Sequence, residues 1–178
     1  MPESNPPLIS VEEYLNASYP DGDLEYVDDV LVERNVGDVS HSALQAIVMG
    51  HVVAFRKQFN LAVRPSCRLR TEETRYRVPD ILVMSKPFRR AEKAIFEVPV
   101  LVIEVLSPDD RMEAMLNKLR EYEELGVRHI ILMDPEDRTT AVFVNGNLVL
   151  RDLSSLDLPG GGSLPFDSRQ LLSQIDEE

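Results

Sequence analysis

The sequence is poor in cysteine and has no long apolar run. Cys67 is the single cysteine among 178 residues, so the chain can form neither an internal disulfide nor a cysteine zinc cluster. This fits a reducing compartment, although a secreted protein without disulfides would look the same. The first ten residues lack the apolar segment of a signal peptide, and no stretch approaches the ~20 apolar residues of a membrane span. We therefore expect a soluble cytoplasmic protein without a membrane partner.

Basic side chains are also scarce. Lysine and arginine total 19 against 31 aspartates and glutamates, which gives a formal net charge of -12. A uniformly basic coat is excluded, so a polyanionic partner must meet a local basic patch. Hydrophobic residues make up 43% and charged residues 28% of the chain, as in ordinary globular proteins. We expect a flexible arm over residues 1–9 and a single domain over residues 10–178.

Capping and turn residues divide the first half of the chain into elements. Ser10 opens a capping-box pattern that predicts a short helix. Asp28-Asp29 could close a tight hairpin between two β-like runs. Either Asp38 or Ser40 could cap a longer helix, because apolar residues recur after them at helical spacing. The other predicted segments are hairpin strands at 24–27 and 30–33, strands at about 61–70 and 78–84, and a loop or hairpin tip between these last two.

The second half alternates strand and helix patterns. Residues 99–106 are almost continuously apolar, as in a strand covered on both faces. A helix is predicted over about 109–125, with an N-cap offered by residues 107–110 and Gly126 placed to end it. The remaining patterns predict a strand at 129–133, a hairpin at 139–144 and 147–150, a loop at 154–165 and a tail helix at about 168–175. This order favours an α/β (α+β) fold, a mixed β-sheet flanked by helices with an N-terminal helix and β-hairpin.

Two acidic residues adjoin or interrupt the apolar strand patterns. Glu104 lies inside the run 99–106, where an unpaired carboxylate costs several kcal/mol. If Glu104 is buried, it needs a cation, a hydrogen-bonded partner or a proton. The structural alternative is that it lies partly solvated at the end of the strand or pairs with an arginine. Asp80 precedes the apolar run 81–84, and alone it could be a turn or cap residue.

As a pair, these acids suggest a metal site. Magnesium uses one or two carboxylates and keeps several waters, so Asp80 and Glu104 could bind it, and the main-chain carbonyl of Val105 could add a ligand. Without a metal the two carboxylates should repel each other, and we expect one to be partly protonated at neutral pH.

Lys118 falls inside the apolar stripe of the helix predicted over 109–125. At roughly 100° per residue, its direction around the helix axis lies between those of Tyr122 and Leu125. Solvated lysines usually point the other way. The amine could snorkel back to the surface, or it could reach a carboxylate-lined site, orient a water and stabilise developing negative charge.

Glu25 and two histidines carry weaker signals. Glu25 lies in a polar/apolar alternation and could simply face solvent on a two-stranded ribbon. His41 and His51 belong to the long helix, where most such histidines are structural or polar. No HExxH or paired-cysteine spacing is present, so a zinc site is not expected.

Three runs resemble a known family. They are RVPDILVM at 77–84, VLVIEVLSPDD at 100–110 and NKLREYEELGVRHIILMDP at 117–135. With VEEYLN…LEYVDDVLVER near the start and a Leu-Pro-rich loop near the end, they resemble the Uma-type restriction endonucleases of the PD-(D/E)XK nuclease superfamily. The resemblance covers nearly the whole chain. It implies a restriction-endonuclease-like core that is often assembled as a homodimer.

The resemblance also implies roles for individual acids. Asp80 and Glu104 stand at the positions of the metal-binding acids, and Glu25 stands at that of a further acid facing the site. His41 falls where the family often has a histidine, near the start of the long helix.

The position of the lysine departs from the superfamily motif. The superfamily's lysine normally lies two residues after the second acid, where this chain has Leu106. The family supplies the lysine from the following helix, which matches Lys118, and Tyr122 would then support the lysine or the phosphate. Asp29 replaces a usual glycine and Ile131 a frequent tryptophan, and neither touches the implied chemistry.

These features predict a magnesium-dependent endonuclease that hydrolyses DNA, with manganese as a substitute. The alternative is a non-catalytic module that keeps the nuclease fold for binding or assembly. The net charge of -12 favours the alternative, because phosphate contacts normally need clustered lysine and arginine. Basic residues do cluster locally at 56–57 and between 64 and 90.

Overall fold

The computed structural model describes residues 8–20, 22–35, 37–89 and 92–177. The helices are α1 Val11–Asn16, α2 Val39–Phe55, α3 Met112–Leu125 and α4 Ser168–Ser173, and a 3₁₀ turn follows at Gln174–Glu177. The strands are β1 Glu25–Val27, β2 Val30–Val32, β3 Leu61–Pro65, β4 Leu69–Glu72, β5 Arg75–Arg77, β6 Ile81–Ser85, β7 Leu101–Val105, β8 His129–Asp134, β9 Thr139–Val144, β10 Asn147–Leu150, β11 Ser155–Asp157 and β12 Ser163–Pro165.

A six-stranded mixed sheet carries most of the core. Its order is β10-β9-β8-β7-β6-β3, with β7 and β8 parallel and the other neighbours antiparallel. All of β7 is buried, as predicted for a strand covered on both faces. Leu44 and Val48 of α2 pack on one face of the sheet, and Leu119 and Tyr122 of α3 pack on the other.

A smaller antiparallel sheet, in the order β2-β1-β5-β4, lies beside the large one. It packs against α1 through the buried tyrosines Tyr14, Tyr26 and Tyr76. The two aspartates of the β1–β2 turn, Asp28 and Asp29, have φ angles of 49° and 69°. Positive φ at both central residues is the geometry of a two-residue type I′ hairpin, so the predicted hairpin is confirmed.

The N-terminal helix is capped as the sequence predicts. The Ser10 hydroxyl accepts from the Glu13 N–H at 3.2 Å, and the Glu13 carboxylate accepts from the Ser10 N–H at 2.7 Å. Most of the predicted arm, residues 1–7, lies outside the described residues. Ile9, its last residue, donates its N–H to the Asp29 carbonyl at 3.1 Å, so this position is tied to the first hairpin.

One predicted strand is wrong because the chain changes sheets within it. The segment 61–70 forms β3 of the large sheet and β4 of the small one, and the chain turns between them at Ser66, whose φ is 41°. The hairpin alternative for the following stretch is confirmed, since β4 pairs with β5 around Glu73 and Thr74.

Two further predictions differ from the structure. The predicted loop 154–165 contains the β11–β12 hairpin, whose buried Leu156 and Leu164 pair with each other. The hairpin was missed because strands of three residues are too short to show a hydrophobic period. The helix predicted from 109 begins at Met112, because Ser107 and Asp110 close a turn of their own. The Asp110 carboxylate accepts from the Ser107 N–H at 2.7 Å. Among the described residues, no helix has the length and apolar character needed to cross a bilayer.

Candidate active site

Strands β6 and β7 bring two acids to the same end of the large sheet. These strands are antiparallel, and Ile81 pairs with Ile103. Asp80 directly precedes Ile81 and Glu104 directly follows Ile103, so the two acids lie close together at this end of the ladder. Glu104 is contacted by Lys118 and Tyr122 of α3, whereas Asp80 is contacted by His41 of α2. Only 4% of Asp80 and 1% of Glu104 is exposed, so both carboxylates depend on protein partners.

Helix α3 places the lysine predicted from sequence between two acids. Lys118 Nζ lies 2.9 Å from Oε1 of Glu104 and 2.8 Å from Oε1 of Glu25. Tyr122 donates its hydroxyl to Oε1 of Glu104 at 2.7 Å. Residues four apart share one face of a helix, and therefore a single stripe delivers both side chains. Of the two orientations considered for Lys118, the structure has the inward one.

Asp80 is held by three donors. Its Oδ1 accepts from Nη2 of Arg34 at 2.8 Å. Its Oδ2 accepts from the Val105 N–H at 2.8 Å and lies 3.2 Å from Nε2 of His41. Burial would raise the pKa of Asp80, but the hydrogen bond from His41 and the charge of Lys118 outweigh it and keep the pKa below its usual value. Asp80 is therefore an ionised carboxylate at neutral pH.

Glu104 has the opposite tendency. Burial raises the pKa of Glu104 to about 7; Lys118 opposes this shift, whereas Asp80 and Glu25 add to it. For Lys118, burial would lower the pKa, but the charges of Glu104, Glu25 and Asp80 outweigh burial and raise it above its usual value. Partial protonation of one acid at neutral pH stays a prediction; Glu104 is the acid whose pKa is raised, and burial contributes more to this shift than the repulsion from Asp80.

Glu25 is not on a solvated face. It is 5% exposed, and besides Lys118 it accepts from Nη1 of Arg77 at 2.9 Å and from the Val78 N–H at 3.0 Å. Burial would raise the pKa of Glu25, but Lys118 and Arg77 together lower it. Arg77 also donates its Nε to Oε2 of Glu121 on α3 at 2.7 Å. This network joins the small sheet to α3 at the site.

Sequence reasoning missed Arg34, Arg77 and Glu121. Arg77 lies within the RVPD run itself, and Glu121 follows Lys118 by three residues on the same helical face; both signals were available. Arg34 lies in the loop between β2 and α2, and no periodic pattern points to it. His51 lies away from the site, where its Nε2 is 2.7 Å from the Pro165 carbonyl.

The charged side chains line an open cleft of about 400 Å³. Asp80, Glu104 and Lys118 form part of its wall, and Arg34 and Arg111 contribute positive charge. The cleft is large enough to admit a phosphate group beside the carboxylates. Its lining combines anionic groups, which suit a cation, with cationic groups, which suit a phosphate.

The donor set bears on the predicted metal. Among the described residues, no group of three or more histidine, cysteine, aspartate or glutamate side chains is arranged to hold a metal ion. A complete protein cage, as calcium or structural zinc requires, is therefore not formed there. Magnesium differs because it uses one or two carboxylates and completes its shell with water and substrate phosphate. Asp80 and Glu104 on a cleft wall fit that requirement.

Comparison with solved structures identifies the fold. The chain resembles the crystal structure of a "putative nuclease belonging to DUF820" from Anabaena variabilis, with a TM-score of 0.77 and 20% identity over 94% of this chain and 99% of that one. A cryo-EM structure of a DrdV–DNA complex matches with a TM-score of 0.39 and 12% identity, over 78% of this chain and 13% of that chain. The predicted fold class, a restriction-endonuclease-like mixed sheet flanked by helices, is confirmed by the first match. The search of curated proteins found no match.

The family assignment rests on the sequence itself. The family Uma2, described as "Putative restriction endonuclease", matches residues 11–163. This range includes the six-stranded and four-stranded sheets, α3 and every residue of the cleft discussed above. Family and fold together support a nuclease. The chain therefore belongs to the Uma2 family, as the motifs around Asp80, Glu104 and Lys118 predicted.

Proposed function

We propose that this protein is a magnesium-dependent endonuclease that hydrolyses phosphodiester bonds in DNA. The observation that carries the proposal is the meeting of Asp80, Glu104 and Lys118 on one cleft wall. A core of this kind could stay folded with apolar residues at all three positions, since buried ion pairs seldom stabilise more than well-packed hydrophobic groups. Two buried acids and an amine are therefore better explained by chemistry than by folding.

The two acids would hold the cation. Asp80 and Glu104, with the main-chain carbonyl of Val105, would bind Mg²⁺, and Mn²⁺ could replace it because both prefer oxygen ligands. Such a cation supplies Lewis acidity at the phosphoryl group and offsets the charge that develops there. Tyr122 positions Glu104, since its hydroxyl fixes one carboxylate oxygen at 2.7 Å.

Lys118 would act on the phosphate and on the attacking water. An ammonium group has three N–H donors, and two are directed to Glu104 and Glu25. The third is left for a water or a phosphate oxygen in the cleft, where Lys118 would orient the nucleophile and stabilise negative charge in the transition state. Because its pKa is raised, Lys118 acts as a fixed positive charge and not as a general base.

Glu25 is proposed as a positioning residue. Its carboxylate accepts from Lys118, Arg77 and the Val78 N–H. These contacts use most of its lone pairs, so little of the carboxylate is left to bind a second metal ion. Glu25 instead fixes where the Lys118 ammonium lies.

Plasmid nicking tests the proposal. Supercoiled plasmid is incubated with Mg²⁺ and the wild-type protein, Asp80→Asn, Lys118→Met or Asp109→Asn. We expect the first two variants to lose about 10²-fold or more in rate, the usual effect of removing one group that acts in the transition state. Asp109 is exposed on the same cleft wall and serves as the matched control, which should nick at the wild-type rate. Equal nicking by Asp80→Asn and wild type would refute the site.

A non-catalytic module is the second candidate. It is favoured by the net charge of -12 and by the partners that Asp80 already has in Arg34 and His41. Calorimetric titration with Mg²⁺ or Mn²⁺ separates the two candidates. No metal binding, together with no cleavage of any nucleic acid, would favour the second candidate.

A further inference from the structure

An arginine occupies one oxygen of the proposed metal ligand. Arg34 lies in the loop between β2 and α2, and its Nη2 is 2.8 Å from Oδ1 of Asp80. The other contacts of this carboxylate, from His41 and the Val105 N–H, are both to Oδ2. Among the described residues Arg34 is therefore the side chain that holds Oδ1.

A divalent cation and Arg34 would compete for Oδ1 of Asp80. The guanidinium is never deprotonated in proteins, and two positive charges on one carboxylate repel each other. Oδ1 has a further lone pair, but a cation bound there would lie beside the guanidinium and weaken the contact of Arg34 with Asp80. The Val105 N–H is fixed in β7, and the His41 side chain is 11% exposed, whereas that of Arg34 is 23% exposed. Arg34 is the partner with the most freedom to move.

A displaced Arg34 would remain beside the reacting group. Its side chain borders the cleft that also contains Glu104 and Lys118. It also borders a second cavity, which shares Asp80 and His41 with the first, so the guanidinium has space on either side of its present position. The planar fork of arginine donors matches two phosphate oxygens at once.

We propose that Arg34 is an exchangeable partner of Asp80, which neutralises the carboxylate before catalysis and transfers to the substrate phosphate when a metal ion takes Asp80. The inference rests on the proposed function, because it assumes that Asp80 binds a metal ion. It assigns a substrate-binding role to Arg34, the last residue of the LEYVDDVLVER run quoted above, to which the resemblance gave no role.

Metal binding is the first test. Mn²⁺ is titrated by calorimetry into metal-free wild type, Arg34→Gln and Arg111→Gln. Removing the competitor should tighten Mn²⁺ binding by Arg34→Gln about two- to fivefold, the range expected for losing a partly exposed ion pair. Arg111 borders the same cleft, and its replacement removes the same charge without touching Asp80. We expect Arg111→Gln to change the affinity by less than about twofold.

DNA binding is the second test and should change in the opposite direction. Binding of a short fluorescein-labelled DNA duplex is measured by anisotropy in Ca²⁺, which takes the same oxygen ligands. Arg34→Gln should bind the duplex about tenfold more weakly than wild type, because a charge-assisted phosphate contact is lost. Arg34→Lys keeps the positive charge but loses the planar pair of guanidinium donors. It should bind Mn²⁺ nearly as wild type does and bind DNA with intermediate affinity.

The outcomes separate this inference from the proposed function. Tighter Mn²⁺ binding with weaker DNA binding by Arg34→Gln supports the exchange. If wild type binds Mn²⁺ and Arg34→Gln binds it equally or more weakly, the exchange is wrong while the metal site stands. Equal DNA binding by the two proteins also overturns it. If neither protein binds Mn²⁺, both the exchange and the proposed function fail. Circular dichroism of each variant confirms that the comparison is between folded proteins.

Discussion

Replacing Glu104 with glutamine should stabilise the metal-free protein relative to wild type, and this difference in the free energy of unfolding should grow as the pH rises. Burial raises the pKa of Glu104 from 4.5 to about 7, so between these values the folded chain holds the proton more tightly than the unfolded chain. Stability therefore falls with rising pH across this window in wild type. Each pKa unit corresponds to about 1.4 kcal/mol, which gives a loss of about 3 kcal/mol once the pH exceeds 7. Glu104→Gln has no such proton to lose.

The measurement is urea unfolding of both proteins in chelator at about pH 5 and about pH 8, which bracket most of the window. The free-energy difference, variant minus wild type, should increase by roughly 3 kcal/mol between the two conditions. Asp80 and Glu25 have lowered pKa values, so their contributions are lost only as the pH falls below the window, and they cancel between the proteins. Glu124→Gln changes an exposed glutamate of the same helix and should show no such trend. A difference that is the same at both pH values would refute the reasoning.

Three further substitutions test contacts around the site. Glu121→Gln should lower the free energy of unfolding by about 3 kcal/mol, because it leaves the guanidinium of Arg77 buried with one fewer carboxylate; urea unfolding measures this. Tyr122→Phe removes the hydroxyl bound to Glu104 and should cost about 1.5–3 kcal/mol in the same assay, most strongly at a pH where Glu104 is ionised. Ser10→Ala removes the capping box of α1 and should cost about 1 kcal/mol, with no effect on Mn²⁺ binding. An Mn²⁺ affinity changed by Ser10→Ala would mean that the helix α1 is coupled to the site.

The acids and the lysine could be found from sequence because local rules place them. Glu104 interrupts an apolar strand, and Lys118 lies on the apolar stripe of a helix, so each is detected against a strong periodic background. Antiparallel pairing of β6 with β7 then puts Asp80 beside Glu104. Asp80, Glu104 and Lys118 are therefore brought together by strand β7, helix α3 and the pairing of β6 with β7.

Arg34, and the contacts that Arg77 makes, could not be found in the same way. Arg34 comes from a loop, and Arg77 comes from the last position of a three-residue strand in the small sheet. The contacts of these side chains depend on how the small sheet packs against α3. No hydrophobic periodicity in the sequence reveals that packing. The β11–β12 hairpin was missed for a related reason, since Leu156 and Leu164 reveal their burial only when the hairpin closes.

The position of the site at this junction has a consequence for how its parts depend on each other. Arg77 lies between Glu25 on β1 and Glu121 on α3, and Glu25 in turn holds Lys118. Removing any one of these charges leaves another buried without its partner, which costs more than the pair contributed. Substitutions in the network should therefore lower stability and move the Lys118 ammonium together. Arg34 differs because its side chain is partly exposed and its partner Asp80 keeps the contacts of His41 and the Val105 N–H. Its replacement should therefore change metal and phosphate binding, and should lower the free energy of unfolding less than a substitution within the network does.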